Sequence, residues 1–131
     1  MFKKILLLMG LGFVISSASA IEFSCRAEYG GEVATLTAKP VTDPYSFEST
    51  DALGAFRFSA QYLSDPGKLK TYVYHYSKNR FVLIHAAEYS IVDANCQQYQ
   101  AGLGKQRIYT AKLEKEFNFQ CYSVCPVGVL K

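Results

Sequence analysis

From Ile21 onward the chain alternates apolar and polar side chains with a period of two, and that pattern constrains the fold more than any other feature. Ile21, Phe23, Cys25 and Ala27 are separated by Glu22, Ser24, Arg26 and Glu28. Phe56, Phe58, Ala60 and Tyr62 are likewise separated by Arg57, Ser59 and Gln61. Successive side chains of an extended strand point to opposite faces, so each run reads as a β-strand with one buried face. Turn signals divide the runs. Gly30-Gly31 predicts a turn into a strand over 32–38, Asp65-Pro66-Gly67 predicts another, and Ser77 to Arg80 caps a long hairpin of 68–76 and 81–92. Pro40 and Pro44 break the pattern, which leaves a short edge strand at 45–49. Two short helical stretches are expected. One is a turn capped by Ser49-Thr50-Asp51 and ended by Gly54; the other spans 94–101, capped by Asp93 and stopped by Gly102. Residues 108–117 read equally as strand or helix, and 117–122 as a strand. The expected fold is mainly β: a small antiparallel sandwich or barrel with one or two short helices and two disulfides.

Residues 1–20 have the form of a secretory signal. Lys3 and Lys4 precede an apolar run from Ile5 to Ile15, and Ala18-Ser19-Ala20 supplies a small-residue cleavage site. The run is too short to span a bilayer, which takes about 20 residues. The expected organisation is therefore a signal at 1–20 and one exported β-rich domain at 21–131, periplasmic or secreted, with no membrane span in the mature chain.

All four cysteines, Cys25, Cys96, Cys121 and Cys125, follow this leader. An even number in a small exported domain predicts two disulfides. Cys121 and Cys125 would lie about 13 Å apart on a strand, beyond bridging distance. The preferred pattern thus joins Cys25 to one of them and Cys96 to the other. Cys25–Cys96 with Cys121–Cys125 requires a turn at 122–124. No paired C-x-x-C or short-spaced histidines point to a metal site, and no cofactor is expected.

Composition narrows the function classes. Half of the 131 residues are hydrophobic and 19% are charged, which excludes a disordered chain. A formal charge of +3, of which the leader supplies two lysines, is too small for a dedicated nucleic-acid binder. No nucleophile elbow, zincin motif or phosphate loop is present.

Two constellations remain. Lys68, Lys70, Tyr72, Tyr74 and Tyr76 occupy alternate positions and so share one strand face. Aromatic rings beside ammonium groups suit sugars, anions or a protein partner. The alternative is that the tyrosines fill core or half-buried positions and the lysines sit in water. His75 and His85 are the second constellation. An even hairpin loop pairs Tyr72 with His85, Tyr74 with Leu83 and Tyr76 with Phe81, which separates the two histidines onto opposite faces, whereas an odd loop would put them near each other on one face. Both hairpin faces are apolar in any register, as expected of a covered strand or one lining a groove.

The leading expectation is a non-enzymatic, exported, disulfide-stabilised binding module, inhibitor-like in size. Lys68, Lys70, Tyr72 and Tyr74 would contact a protein or glycan in the envelope or outside the cell. The alternatives are a small secreted enzyme, either a hydrolase using His75 or His85 or a thiol oxidoreductase using Cys121 and Cys125, and a self-associating envelope component.

Overall fold

The structure is a computed structural model and describes residues 21–92, 95–110 and 115–125. Among the described residues nine strands form in chain order: β1 (Glu22–Tyr29), β2 (Glu32–Ala38), β3 (Pro40–Val41), β4 (Glu48–Leu53), β5 (Phe56–Leu63), β6 (Lys68–Ser77), β7 (Arg80–Ser90), β8 (Gln106–Tyr109) and β9 (Glu116–Val124). They make two separate sheets. The first runs β2-β1-β9-β8, and the second runs β3-β5-β6-β7, with β4 also on β5. β3 and β4 share the same edge of β5: β3 runs parallel beside Tyr62 and Leu63, and β4 runs antiparallel beside residues 56–60. Every other pairing is antiparallel.

The alternating apolar positions explain how the sheets meet. Phe23, Cys25 and Ala27 of β1 join Phe117, Phe119 and Cys121 of β9 on one inner face. Phe56, Phe58, Ala60 and Tyr62 of β5 join Leu69 and Val73 of β6 on the other. Aromatic rings bridge the two faces: Tyr29 to Phe56 at 4.8 Å, Phe23 to Tyr62 at 4.9 Å, Phe56 to Phe117 and Phe58 to Phe119 both at 5.0 Å. Those centroid separations lie in the favourable range for offset and edge-on pairs. The result is a β-sandwich rather than a closed barrel.

The disulfides follow the preferred pattern: Cys25–Cys121 and Cys96–Cys125. Cys25 and Cys121 lie directly opposite on neighbouring strands. Cys96–Cys125 ties the loop before β8 to the end of β9. That loop also donates Leu103 N–H to the Cys121 carbonyl and accepts from Ser123 N–H at the Tyr99 carbonyl, so it runs along the same edge of β9 as β8.

Three local expectations need correction. No helix occurs among the described residues. Residues 48–53, expected to hold a capped helical turn, form β4 instead. Thr50 Oγ1 does accept the Ala52 N–H, as a cap would, but it does so within the irregularity between Thr50 and Leu53. Residues 45–47 lie outside any strand. Of 94–101, the described residues make successive turns, with Gln98 N–H bonded to Asn95 O and Gly102 N–H to Tyr99 O. Residues 93, 94 and 111–114 lie outside the described residues, so part of the second helix and of the ambiguous stretch is not addressed.

The turn glycine is a firm requirement at Gly67. Its φ is +88°, and a Cβ there would meet the Ile91 carbonyl oxygen at 2.6 Å. The long hairpin closes through Lys78 and Asn79, both with positive φ, in a two-residue loop whose twist suits right-handed strands. Opposed residues then sum to 157, as expected, from Ser77–Arg80 to Tyr74–Leu83. A bulge follows. Val73 faces His85 and Tyr72 faces Ala86, so the expected Tyr72–His85 pair does not form.

Candidate functional site

Pairing with β5 decides which face of β6 is inside. Phe58 and Val73 are opposite one another, as are Ala60 and Thr71, so Leu69, Thr71 and Val73 turn into the core. Lys68, Lys70, Tyr72, Tyr74 and Tyr76 therefore share the outer face of the second sheet, and the first four are half-buried there. The tyrosines are not core residues.

Neighbouring strands complete the face. Tyr74 lies between Arg57 on β5 and Leu83 on β7, and Tyr72 between Ser59 and Ala86. Phe47, just before β4, meets the Tyr72 ring edge-on at 5.7 Å, and Phe81 meets the Tyr76 ring at 5.1 Å. The Arg57 guanidinium sits 4.0 Å above the centre of the Phe81 ring. Its Nε donates to Asp51 Oδ1 at 2.7 Å and its Nη2 to Oδ2 at 3.0 Å. This two-point bond holds the Asp51 carboxyl below its ordinary pKa and raises that of Arg57. Ser49 and Ser59 share a 2.7 Å hydroxyl–hydroxyl bond across β4 and β5.

Phe47, Ser49, Arg57, Ser59, Tyr74 and Phe81 line an open groove of about 360 Å³. Further along β6 a second depression of about 210 Å³ is lined by Lys70, Tyr72, Ala86, Ala87 and Glu88. Lys68 Nζ pairs with Glu88 Oε1 at 3.0 Å, whereas Lys70 has no ion-pair partner among the described residues. The structure thus brings Tyr72 and Tyr74 to two adjoining depressions, with Lys70 at one and Lys68 engaged at its rim. Phe47, Ser49, Arg57, Ser59 and Phe81 were not foreseen as site residues. Their only sequence signal is the wet alternation of β5 and the position of Phe81 opposite Tyr76.

The histidines lie elsewhere, and their expected separation is wrong. Beyond the bulge His85 is opposite Val73 and turns inward, so both imidazoles sit on the inner side of the hairpin. His75 packs at 5.1 Å from Phe56, and His85 at 5.8 Å from Phe119. Burial lowers the pKa of each, with the Lys115 charge adding to the effect at His75. Neither lines the outer groove. Cys121 and Cys125 are bonded to different partners, and Cys121 is buried. Among the described residues no group of three or more His, Cys, Asp or Glu side chains is placed to hold a metal ion, and no helix is long and apolar enough to cross a membrane.

Comparison with known proteins finds no matching family model, no matching curated protein and no matching solved structure.

Proposed function

We propose that the chain is an exported, non-enzymatic binding module that holds an envelope or extracellular partner against the outer face of β5, β6 and β7. One observation carries the reading. A sandwich needs only one apolar face per sheet, yet here the outer face also gathers Phe47, Tyr72, Tyr74, Tyr76 and Phe81 around two grooves. No described element covers that face, and grouped aromatics that are half-buried or exposed beside ordered polar groups are what contact surfaces use. The leader-like residues 1–20 support export. The two disulfides suit an oxidising compartment.

Retention by the envelope tests the proposal. Mature wild-type protein is incubated with an envelope fraction of cells that export it and sedimented, beside a Lys70→Ala/Tyr72→Ala variant. Retention of the wild type and a loss of about tenfold in the variant are expected, with both disulfides and the near-ultraviolet circular dichroism unchanged. Equal retention of the two proteins removes this face as the contact. No retention of the wild type removes the binding-module reading.

A further inference from the structure

We infer that the larger groove is a subsite for a neutral sugar ring within a glycan chain. The inference rests on the binding-module reading and names its ligand class. It follows from three properties of the groove lining.

The first is charge. Arg57 is the lining's charged side chain, and Asp51 neutralises it through a two-point bond. An anion would have to displace that carboxylate, and a cation would face the guanidinium. The groove offers no net charge to either. The second property is shape and polarity. The Phe47, Tyr74 and Phe81 rings line it, and with the Arg57 guanidinium over one face of Phe81, Phe47 and Tyr74 are the rings left for an apolar surface to lie against. The third is hydrogen-bonding capacity. Ser49 and Ser59 use one bond between them, and each hydroxyl retains further donor or acceptor capacity. Asp51 occupies two of the Arg57 N–H donors and leaves the remainder, already oriented by stacking on Phe81.

A ligand matching all three has no charge, an apolar ring face and hydroxyls around the ring edge. A pyranose has that chemistry. A volume of about 360 Å³ is at the small end for organic ligands, which fits a single ring. The second depression argues for a chain. Tyr72 and Tyr74 are two residues apart on one strand face, so their aromatic platforms are offset by about 7 Å. A neighbouring sugar would lie on Tyr72, with Lys70 and Glu88 at its edge.

The test uses the mature protein and soluble oligosaccharides. The neutral probes are cello-, malto-, laminari-, xylo- and chito-oligosaccharides, with heparin as the anionic comparator, and binding is followed by calorimetry and by chemical-shift mapping. At least one neutral probe is expected to bind, to shift β5 and β6 resonances, and to keep its affinity in high salt. Tyr74→Ala should weaken it about tenfold and the exposed Ser49→Ala about threefold, while Thr35→Ala on the other sheet leaves it unchanged. Ser49→Ala preserves the test if Tyr74→Ala fails to fold. Binding of heparin alone, lost in high salt, overturns the inference. So does failure of every neutral probe. If neutral probes fail while envelope retention still depends on Lys70 and Tyr72, the ligand is a protein and the binding-module reading stands. If both fail, both are wrong.

Discussion

Thr71 is fully buried on the inner face of β6, opposite Ala60 and Ala87, and its Oγ1 has no hydrogen-bond partner among the described residues. A buried hydroxyl without a partner pays the cost of leaving water with nothing returned. Thr71→Val keeps the shape and the β-branching and removes the polar atom. It is expected to raise the unfolding free energy by about 1 kcal/mol in urea titration, and a loss of stability would show that the hydroxyl is bonded in solution. Thr71 also marks what the sequence of β6 leaves open. Leu69, Thr71, Val73 and His75 alternate with Lys68, Lys70, Tyr72 and Tyr74, and both sets are amphipathic. Composition alone does not say which set faces the core. The partner strand does: Phe56, Phe58, Ala60 and Tyr62 on β5 have an unmistakable apolar side, and pairing carries it to the odd positions of β6. The nominated face is therefore legible as a face, and its position on the outside is not. Arg57 and Ser59 complete the groove from β5 and Phe47 from the segment before β4, an arrangement no local pattern specifies.

The β6–β7 hairpin shows the same division among elements. Its register as far as Tyr74–Leu83 is the one an even loop centred on Lys78-Asn79 predicts, and the loop has two residues, both at positive φ. The bulge beyond Leu83 has no turn residue to announce it. A single extra residue reverses the facing of everything after it, which moves His85 from the outer side to the inner one. That move has a pH signature. Burial depresses the folded-state pKa of both His75 and His85, whereas in the unfolded chain each titrates near 6.5. On acidification the unfolded chain takes up protons first, so stability is full above that pH and falls as pH drops toward the folded-state values. The urea midpoint is therefore expected to decrease between about pH 7.5 and about pH 5.5, before the carboxylates titrate. A His75→Gln/His85→Gln variant should lose that decrease. An unchanged pH profile in the double variant would place its source elsewhere.

For the whole molecule, the decisive pairing is β1 with β9, which joins the two ends of the described chain in one sheet. Alternation identifies both strands, and the echo of Phe23 and Cys25 in Phe119 and Cys121 is visible in the sequence. Their adjacency becomes legible only through the cysteines, because a strand spacing of 121 to 125 forbids a local bridge and forces one across the fold. The two bridges have different tasks. Cys25–Cys121 closes a sequence separation of 96 residues and is buried between the sheets, while Cys96–Cys125 closes 29 and is only half-buried. Restricting the unfolded chain is worth about 4–5 kcal/mol for the long closure and about 3–4 kcal/mol for the short one. Access runs the other way. A mild thiol reductant under native conditions reaches the half-buried sulfurs of Cys96 and Cys125 directly, but reaches Cys25 and Cys121 only after the sandwich opens. Timed alkylation with peptide mass mapping should therefore show Cys96 and Cys125 labelled first, with Cys25 and Cys121 protected until denaturant is added. The Cys25→Ala/Cys121→Ala variant should lose about 1 kcal/mol more stability than Cys96→Ala/Cys125→Ala. Simultaneous labelling of all four cysteines would mean that β1 and β9 separate as readily as the loop detaches, and that the sandwich does not hold its first sheet closed around the buried bridge.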